Sequence, residues 1–325
     1  MKEKRLSRFG VIFLSIVLVA CTGGSSEAGC PAIDGREINV VATTPMIGEF
    51  VSQVGGDNIN LTVLMPAEVD PHNYDPSPQD AGKIADADLV FYTGLRYEPS
   101  ALVKLLENSA CSSEVLAEVG ENVFPIEFKE EGHDDHDEEG HDDHEGHDHG
   151  AYDPHFWFDP NRVSYAAEYI ESKLVEFDPS NASDYETAGK AYVTELKGLV
   201  SQVSELISTI PSQNRKLITT HESLGYLEAK FGLEVLSTII PSVDSANEIS
   251  PSQLVGVIDV IEDNNVKVIF IEAEAPSVYA DTIVSETGIK AVEGLWVETL
   301  KEGQSYPEFL FEAVELIVEN LTNTD

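Results

Sequence analysis

Apolar and polar positions follow two rhythms along this chain, one of strands and one of helices. Over residues 37–43 the apolar side chains Ile38, Val40 and Val41 read as a buried strand, and Ile47, Phe50, Val51 and Val54 then recur at helical spacing. A second strand is predicted over 59–65. Ser77-Pro78-Gln79-Asp80 opens a helix that continues through Ile84 and Ala85, with proline at its first position. Residues 89–92 form another strand, 93–99 a loop, and Leu102, Leu105 and Leu106 a further helix. Strands separated by helices cannot pair as hairpins, so this alternation predicts a parallel sheet.

The second half repeats that grammar after a long interruption. Asp159-Pro160 suits the cap and first position of a helix carrying Val163, Ala167, Ile170 and Leu174, which Asp178-Pro179 ends. Tyr185, Ala188, Tyr192, Leu196, Leu199, Val203, Leu206 and Ile210 then recur every three or four residues, with only Gly189 as a breaker. They predict one amphipathic helix of roughly 40 Å, a beam joining two domains. A coiled-coil dimer is the competing reading, but the stripe covers few heptads and lacks charged flanks, so a monomer is expected. Beyond Pro211, strands are predicted over 216–220 (ending at His221), 233–240, 266–271 (ending at Glu272) and 289–292. Ser250-Pro251-Ser252-Gln253 resembles a capping box for a helix through Leu254, Val257, Ile258 and Ile261. Helices over 279–287 and 306–321 complete the chain. The expected architecture is α/β, with an N-terminal lobe over 37–178, a linking helix over 179–211 and a C-terminal lobe over 212–325.

The N-terminus changes the setting. Lys2, Lys4, Arg5 and Arg8 precede an apolar run from Phe9 to Ala20, an export signal over 1–20 that is short for a membrane span. Leu18-Val19-Ala20-Cys21 looks like a bacterial lipobox, which would lipidate Cys21; an ordinary cleaved signal is the alternative. Residues 21–36, rich in Gly, Ser and Ala, then read as a flexible tether. The expected location is extracytoplasmic, as an anchored lipoprotein of the periplasm or cell surface. Export leaves Cys30 and Cys111 in oxidising surroundings, either joined as a disulfide or free.

Composition narrows the partners. At 325 residues and 42% apolar the chain is long enough for two cored domains. Its formal charge is −40, and since residues 1–20 carry +3 the remainder carries −43. Such a surface repels nucleic acid and anionic lipid and draws cations, although adaptation to saline surroundings would account for it equally. Residues 129–150 hold six histidines (His133, His136, His141, His144, His147, His149) and eleven acids against one lysine, with no large apolar side chain. No core can form there, and a His-rich tract of this kind is expected to gather metal ions, zinc above all, with a solubilising acidic linker or an accidental low-complexity expansion as the competing readings.

Only His72, His155 and His221 lie outside that tract. His72 stands in Asp70-Pro71-His72-Asn73-Tyr74-Asp75-Pro76 and His155 in Asp153-Pro154-His155-Phe156-Trp157-Phe158-Asp159-Pro160. A preceding proline stiffens the loop that carries each imidazole, and His221 closes a predicted strand. Convergence of the three on one ion would favour zinc, then copper or nickel, over oxygen-seeking ions. A fourth protein ligand would close the site for holding; without one, a water would be left for activation.

These segments, with Thr220-His221-Glu222-Ser223-Leu224-Gly225-Tyr226-Leu227, Phe270-Ile271-Glu272 and the stretch from Leu295 to Tyr306, resemble the zinc/manganese solute-binding proteins that deliver metal to ABC importers. The resemblance covers nearly the whole mature chain. It implies two α/β lobes, each with a parallel four-stranded sheet, joined by one rigid helix, with metal held between them. It assigns His72 and His155 as N-lobe ligands. His221 matches a position that is histidine in zinc-type members and often glutamate in manganese-type ones. Glu298 falls where many members have aspartate. Glu272 matches an acid near the cleft, a further ligand or an outer partner, while Asp70, Asp153 and Asp159 read as loop-fixing groups.

The implied function is capture of Zn2+, with Mn2+ or Fe2+ as alternatives, and delivery to a membrane permease without chemistry. A His₃-zinc hydrolase is the rival from another class, but the chain has no H-E-x-x-H: His221-Glu222 is followed by Ser223-Leu224-Gly225. A surface adhesin, compatible with the lipobox, is a third. Protons should compete for the imidazoles as pH falls through about 6.

Overall fold

The computed structural model describes Cys30, Ile33 and residues 35–128, 152–245, 247–275 and 278–322. The export signal (1–20), Cys21, most of the tether and the His-rich tract lie outside the described residues.

The first lobe runs β1 (Ile38–Ala42), α1 (Pro45–Gly55), β2 (Ile59–Val63), α2 (Pro78–Ala85), β3 (Leu89–Tyr92), α3 (Ser100–Ser109) and β4 (Leu116–Glu118). Its strands pair in the order β2-β1-β3-β4, all parallel. The helix starts follow local chemistry. The Thr44 hydroxyl accepts from Ile47 N ahead of α1, and the Asp80 carboxylate accepts the Ser77 N–H ahead of α2. Each cap satisfies an amide the helix cannot, worth about 1 kcal/mol. Cys30 and Cys111 are joined in a disulfide that ties the chain ahead of β1 to the end of α3.

After the gap, α4 (Pro160–Phe177) is capped by Asp159, and α5 (Ala182–Ser208) is the long helix. Residues 179–181, expected within that helix, form a separate 3-10 turn, because the Asp178 carboxylate takes Ser180 and Asn181 side chains and holds the chain in a turn. The second lobe runs β5 (Lys216–His221), α6 (Gly225–Phe231), β6 (Glu234–Ile240), α7 (Pro251–Asn264), β7 (Val268–Glu272), α8 (Ala280–Thr287), β8 (Lys290–Leu295) and α9 (Tyr306–Thr322). Its sheet order is β6-β5-β7-β8, again all parallel.

The linking helix is not the only element that joins the lobes. Helix α9 packs on α5 and on α1 of the first lobe. The Tyr306 ring meets Phe50 edge-on at 5.3 Å, Phe309 lies 5.8 Å from Phe158, and the Tyr306 hydroxyl donates to the Trp157 carbonyl at 2.6 Å. Phe50, Phe156, Trp157, Phe158, Tyr306 and Phe309 therefore belong to one buried cluster running through both lobes. Aromatic packing across the division makes closure a shared-core arrangement, one that a large hinge motion would have to break. No described helix is long and apolar enough to cross a membrane.

Candidate metal centre

Both sheets end on the same cleft. In open parallel sheets, loops beyond the strands' carboxyl ends form the binding crevice, and here a strand end delivers His221 and loops deliver His72, His155 and Glu298. His72 sits in a 3-10 turn (Pro71–Asn73) beyond β2, His155 just before a 3-10 turn (Phe156–Phe158), His221 at the last position of β5, and Glu298 in the loop after β8.

One ligand atom from each of His72, His155, His221 and Glu298 lies within 4.8 Å of the other three. No other group of three or more His, Cys, Asp or Glu among the described residues offers ligand atoms so close. Three of the four are fully buried; His72 is half-buried as a residue, but its side chain is only 3% exposed. Glu298 Oε1 lies 3.1 Å from His155 Nε2 and 2.7 Å from His221 Nε2, while Oε2 is 3.7 Å from His72 Nε2. The His72 and His221 Nε2 atoms are buried and make no hydrogen bond, although both face the Glu298 carboxylate. Unpaired buried polar atoms are costly, and a cluster of them aimed at one point is what an ion would satisfy.

Of the three expected loop-fixing acids, Asp70 and Asp153 stand behind His72 and His155, and Asp159 does not. Asp70 Oδ1 accepts the His72 N–H at 3.0 Å and its Oδ2 accepts Asn73 Nδ2 at 2.8 Å. Asp153 Oδ1 accepts the His155 N–H at 2.8 Å and takes its ring Nδ1 at the same distance. A carboxylate only accepts, so Nδ1 carries the proton and Nε2 is turned to the centre. Glu272 lies outside the converging four: its carboxylate faces His221 Nδ1 and accepts from Ser223 Oγ at 3.0 Å. Asp159 caps α4 through Asn161 N at 3.0 Å.

Further residues support the site whose roles no sequence pattern announced. The Tyr97 hydroxyl donates to Glu298 Oε2 at 2.8 Å, with its ring 4.9 Å from that of His72. It is carried by three successive left-handed residues, Gly94, Leu95 and Arg96. Two carboxylates hold that unusual backbone, Glu98 accepting the Thr93 and Gly94 N–H groups and Glu118 that of Leu95. Glu274 accepts the N–H groups of Val297, Glu298 and Thr299 between 3.0 and 3.2 Å, fixing the backbone that presents Glu298. Trp157 Nε1 donates to the Val297 carbonyl at 2.8 Å. The sequence hints only at a Gly-containing loop before Tyr97 and a second acid two residues after Glu272.

Electrostatics follow from burial and pairing. Burial opposes charge on His155, but Glu298 and Asp153 overcome it and raise the imidazole to about 9. His221 is likewise raised: burial is outweighed by Glu272 and Glu298. Burial would raise Glu298, yet the His155, His221 and His72 imidazoles hold it well below the usual carboxylate range. Both shifts have one cause, the buried carboxylates that stabilise imidazolium more than burial opposes it.

The model of the family described as zinc-uptake complex component A, periplasmic, matches residues 40–320. The high-affinity zinc uptake system protein ZnuA of Bacillus subtilis (strain 168) is 32% identical over 328 residues, covering 98% of each chain. The manganese ABC transporter substrate-binding lipoprotein PsaA of Streptococcus anginosus is 28% identical over 328 residues, 98% of this chain and 99% of its own. Among solved structures, the periplasmic zinc binding protein TroA from Treponema pallidum superimposes with a TM-score of 0.74 at 23% identity, covering 88% of this chain and 100% of that one. That likeness is one of fold: two four-stranded parallel sheets with flanking helices.

Proposed function

This chain belongs to the zinc-uptake complex component A family, and on that footing we propose that it is the substrate-binding component of an ABC importer, with Zn2+ as its cargo. The observation that carries zinc is the donor set. Three imidazole nitrogens and one carboxylate make four ligands of the kind zinc prefers, and Tyr97 engages Glu298 Oε2, leaving Oε1 as the ion's single oxygen. Manganese(II) seeks more oxygen ligands than this cluster offers. A manganese-type relative at 28% identity keeps Mn2+ as the second reading, with Fe2+ behind it.

His72, His155, His221 and Glu298 are the proposed ligands, with Asp153 and Glu272 orienting two of the imidazoles. Four protein ligands leave no open position for an activated water, so the ion is carried and released unchanged, and the chain is a binder, not an enzyme. Lipidation at Cys21 would hold it outside the cytoplasm beside its permease. The tract of His133, His136, His141, His144, His147 and His149, shortly ahead of Asp153 in sequence, is read as a collector of loosely held ions.

Elemental analysis of the chain purified without added metal, followed by competition titration of Zn2+ against Mn2+, tests this. One zinc per chain, outcompeting manganese by orders of magnitude, is expected. Preferential retention of manganese would move the assignment to the second reading. Deleting residues 130–149 should remove weakly held ions and leave the tight site intact.

A further inference from the structure

Both N-lobe histidines reach the centre from loops that begin Asp-Pro-His, and the aspartate of each loop is gripped by a side chain from the other lobe. Asp70 Oδ2 accepts the Ser245 hydroxyl at 2.8 Å, a buried contact spanning 175 residues of sequence. The Asp153 carbonyl accepts the Tyr226 hydroxyl at 2.8 Å, and that hydroxyl accepts the Ile126 N–H at 3.2 Å. Beside it, Gly225 comes so near that a Cβ there would stand 2.5 Å from Asp153 Oδ2. Neither Ser245 nor Tyr226 belongs to the converging four.

We infer that Ser245 and Tyr226 are positioning residues through which the C-terminal lobe sets the N-lobe ligands His72 and His155. The inference rests on the metal-binding reading above. Asp70 holds the His72 backbone and Asp153 holds both the backbone and Nδ1 of His155, so whatever fixes these acids fixes the imidazoles. The imidazole of His221, by contrast, takes its Nδ1 partner Glu272 from its own lobe. Separating the lobes removes the Ser245 and Tyr226 contacts together, leaving the N-lobe half of the site loosened while His221 stays oriented. Cleft opening and loss of ligand geometry are thereby one event, so a small opening at the cleft, short of breaking the aromatic core the lobes share, is enough to loosen a tightly held ion. Partners of this kind, one shell behind the ligands, typically govern metal affinity by 10–100-fold.

The test uses the full chain loaded with Co2+, whose visible absorption reports ligand geometry. Ser245→Ala and Tyr226→Phe should each speed Co2+ loss to excess chelator by about tenfold and shift the absorption band, whereas Ser245→Thr, which keeps the hydroxyl, should restore the parent rate. A merely structural role would lower the melting temperature without altering the spectrum. Dissociation within about twofold of the parent for both variants, with an unchanged band, would overturn the inference while leaving the metal-binding reading in place. A parent chain that takes up no Co2+, Zn2+ or Mn2+ would overturn both.

Discussion

The Tyr97 hydroxyl donates to Glu298 Oε2 at 2.8 Å, joining positions 201 residues apart and turning the other carboxylate oxygen toward two imidazoles. Tyr97→Phe keeps the ring against His72 and removes the hydroxyl's hydrogen bonds to Glu298 Oε2 and to the Glu298 carbonyl, 3.0 Å away. The freed oxygen becomes available to the ion, so selectivity for Zn2+ over Mn2+ should fall by about tenfold. Parallel titrations with the two ions measure it; an unchanged ratio would refute this role for the hydroxyl.

Proton linkage gives a second expectation. His155 is raised to about 9 and His221 is raised with it, so at neutral pH the metal-free site holds protons that an entering ion must displace. Affinity should fall steadily as pH drops from 9 toward 6, with proton release visible by calorimetry in buffers of different ionisation enthalpy. For the metal-free chain the sign reverses. A raised folded-state pKa stabilises fully below the unfolded value near 6.5 and is lost as pH rises through about 9. Melting temperatures of the metal-free and loaded protein should therefore diverge between pH 6.5 and 9. Parallel curves would contradict the pairing.

Glu298→Gln keeps the shape of the side chain but removes the one negative charge among the four proposed ligands. Metal affinity should drop by more than the 10–100-fold typical of outer partners. His155 loses the charge that overcomes its burial, so its pKa should fall. NMR titration of the imidazole resonances would follow this directly, and an imidazole still titrating near 9 would show that Asp153 alone holds the proton.

The bond between Cys30 and Cys111 closes a long loop, with a sequence separation of 81. Cross-links of that span contribute about 2–4 kcal/mol by restricting the unfolded chain. Cys111→Ser should lower the melting temperature by several degrees and leave metal affinity unchanged, since the bond lies ahead of β1 and behind α3, away from the cleft.

Gly94 tests how the site's support is built. Its φ is +76°, and a Cβ there would stand 2.0 Å from Glu118 Oε1, the oxygen that accepts the Leu95 N–H. Gly94→Ala should cost about 1–3 kcal/mol and displace Tyr97 from Glu298, lowering zinc affinity along with stability. A variant that melts early yet binds as tightly as the parent would separate the loop from the site.

Much of this arrangement was readable along the chain. Proline before each N-lobe histidine, helix caps such as Asp159 and Ser250, and the uninterrupted apolar run of β7 are local features, and local chemistry is sufficient to define them. Strand β4 and helix α6 were not readable. The first has three residues and exists by pairing with β3, while the second opens at Gly225 without a side-chain cap. Helix α9 was legible as a helix, but its packing on α1 was not, because an apolar stripe announces that it will be buried without naming its partner.

The amino-acid order by itself determined the element types, the parallel strand grammar and the candidate ligands, since periodicity, caps and proline stiffness act over a few residues. Tertiary structure alone decided that His72, His155, His221 and Glu298 meet, that Glu272 stands behind His221, and that Tyr97 and Glu274 bond to Glu298 while Ser245 and Tyr226 bond to Asp70 and Asp153. Those relationships span tens to hundreds of residues, and their energy comes from burial and charge pairing that no contiguous stretch contains.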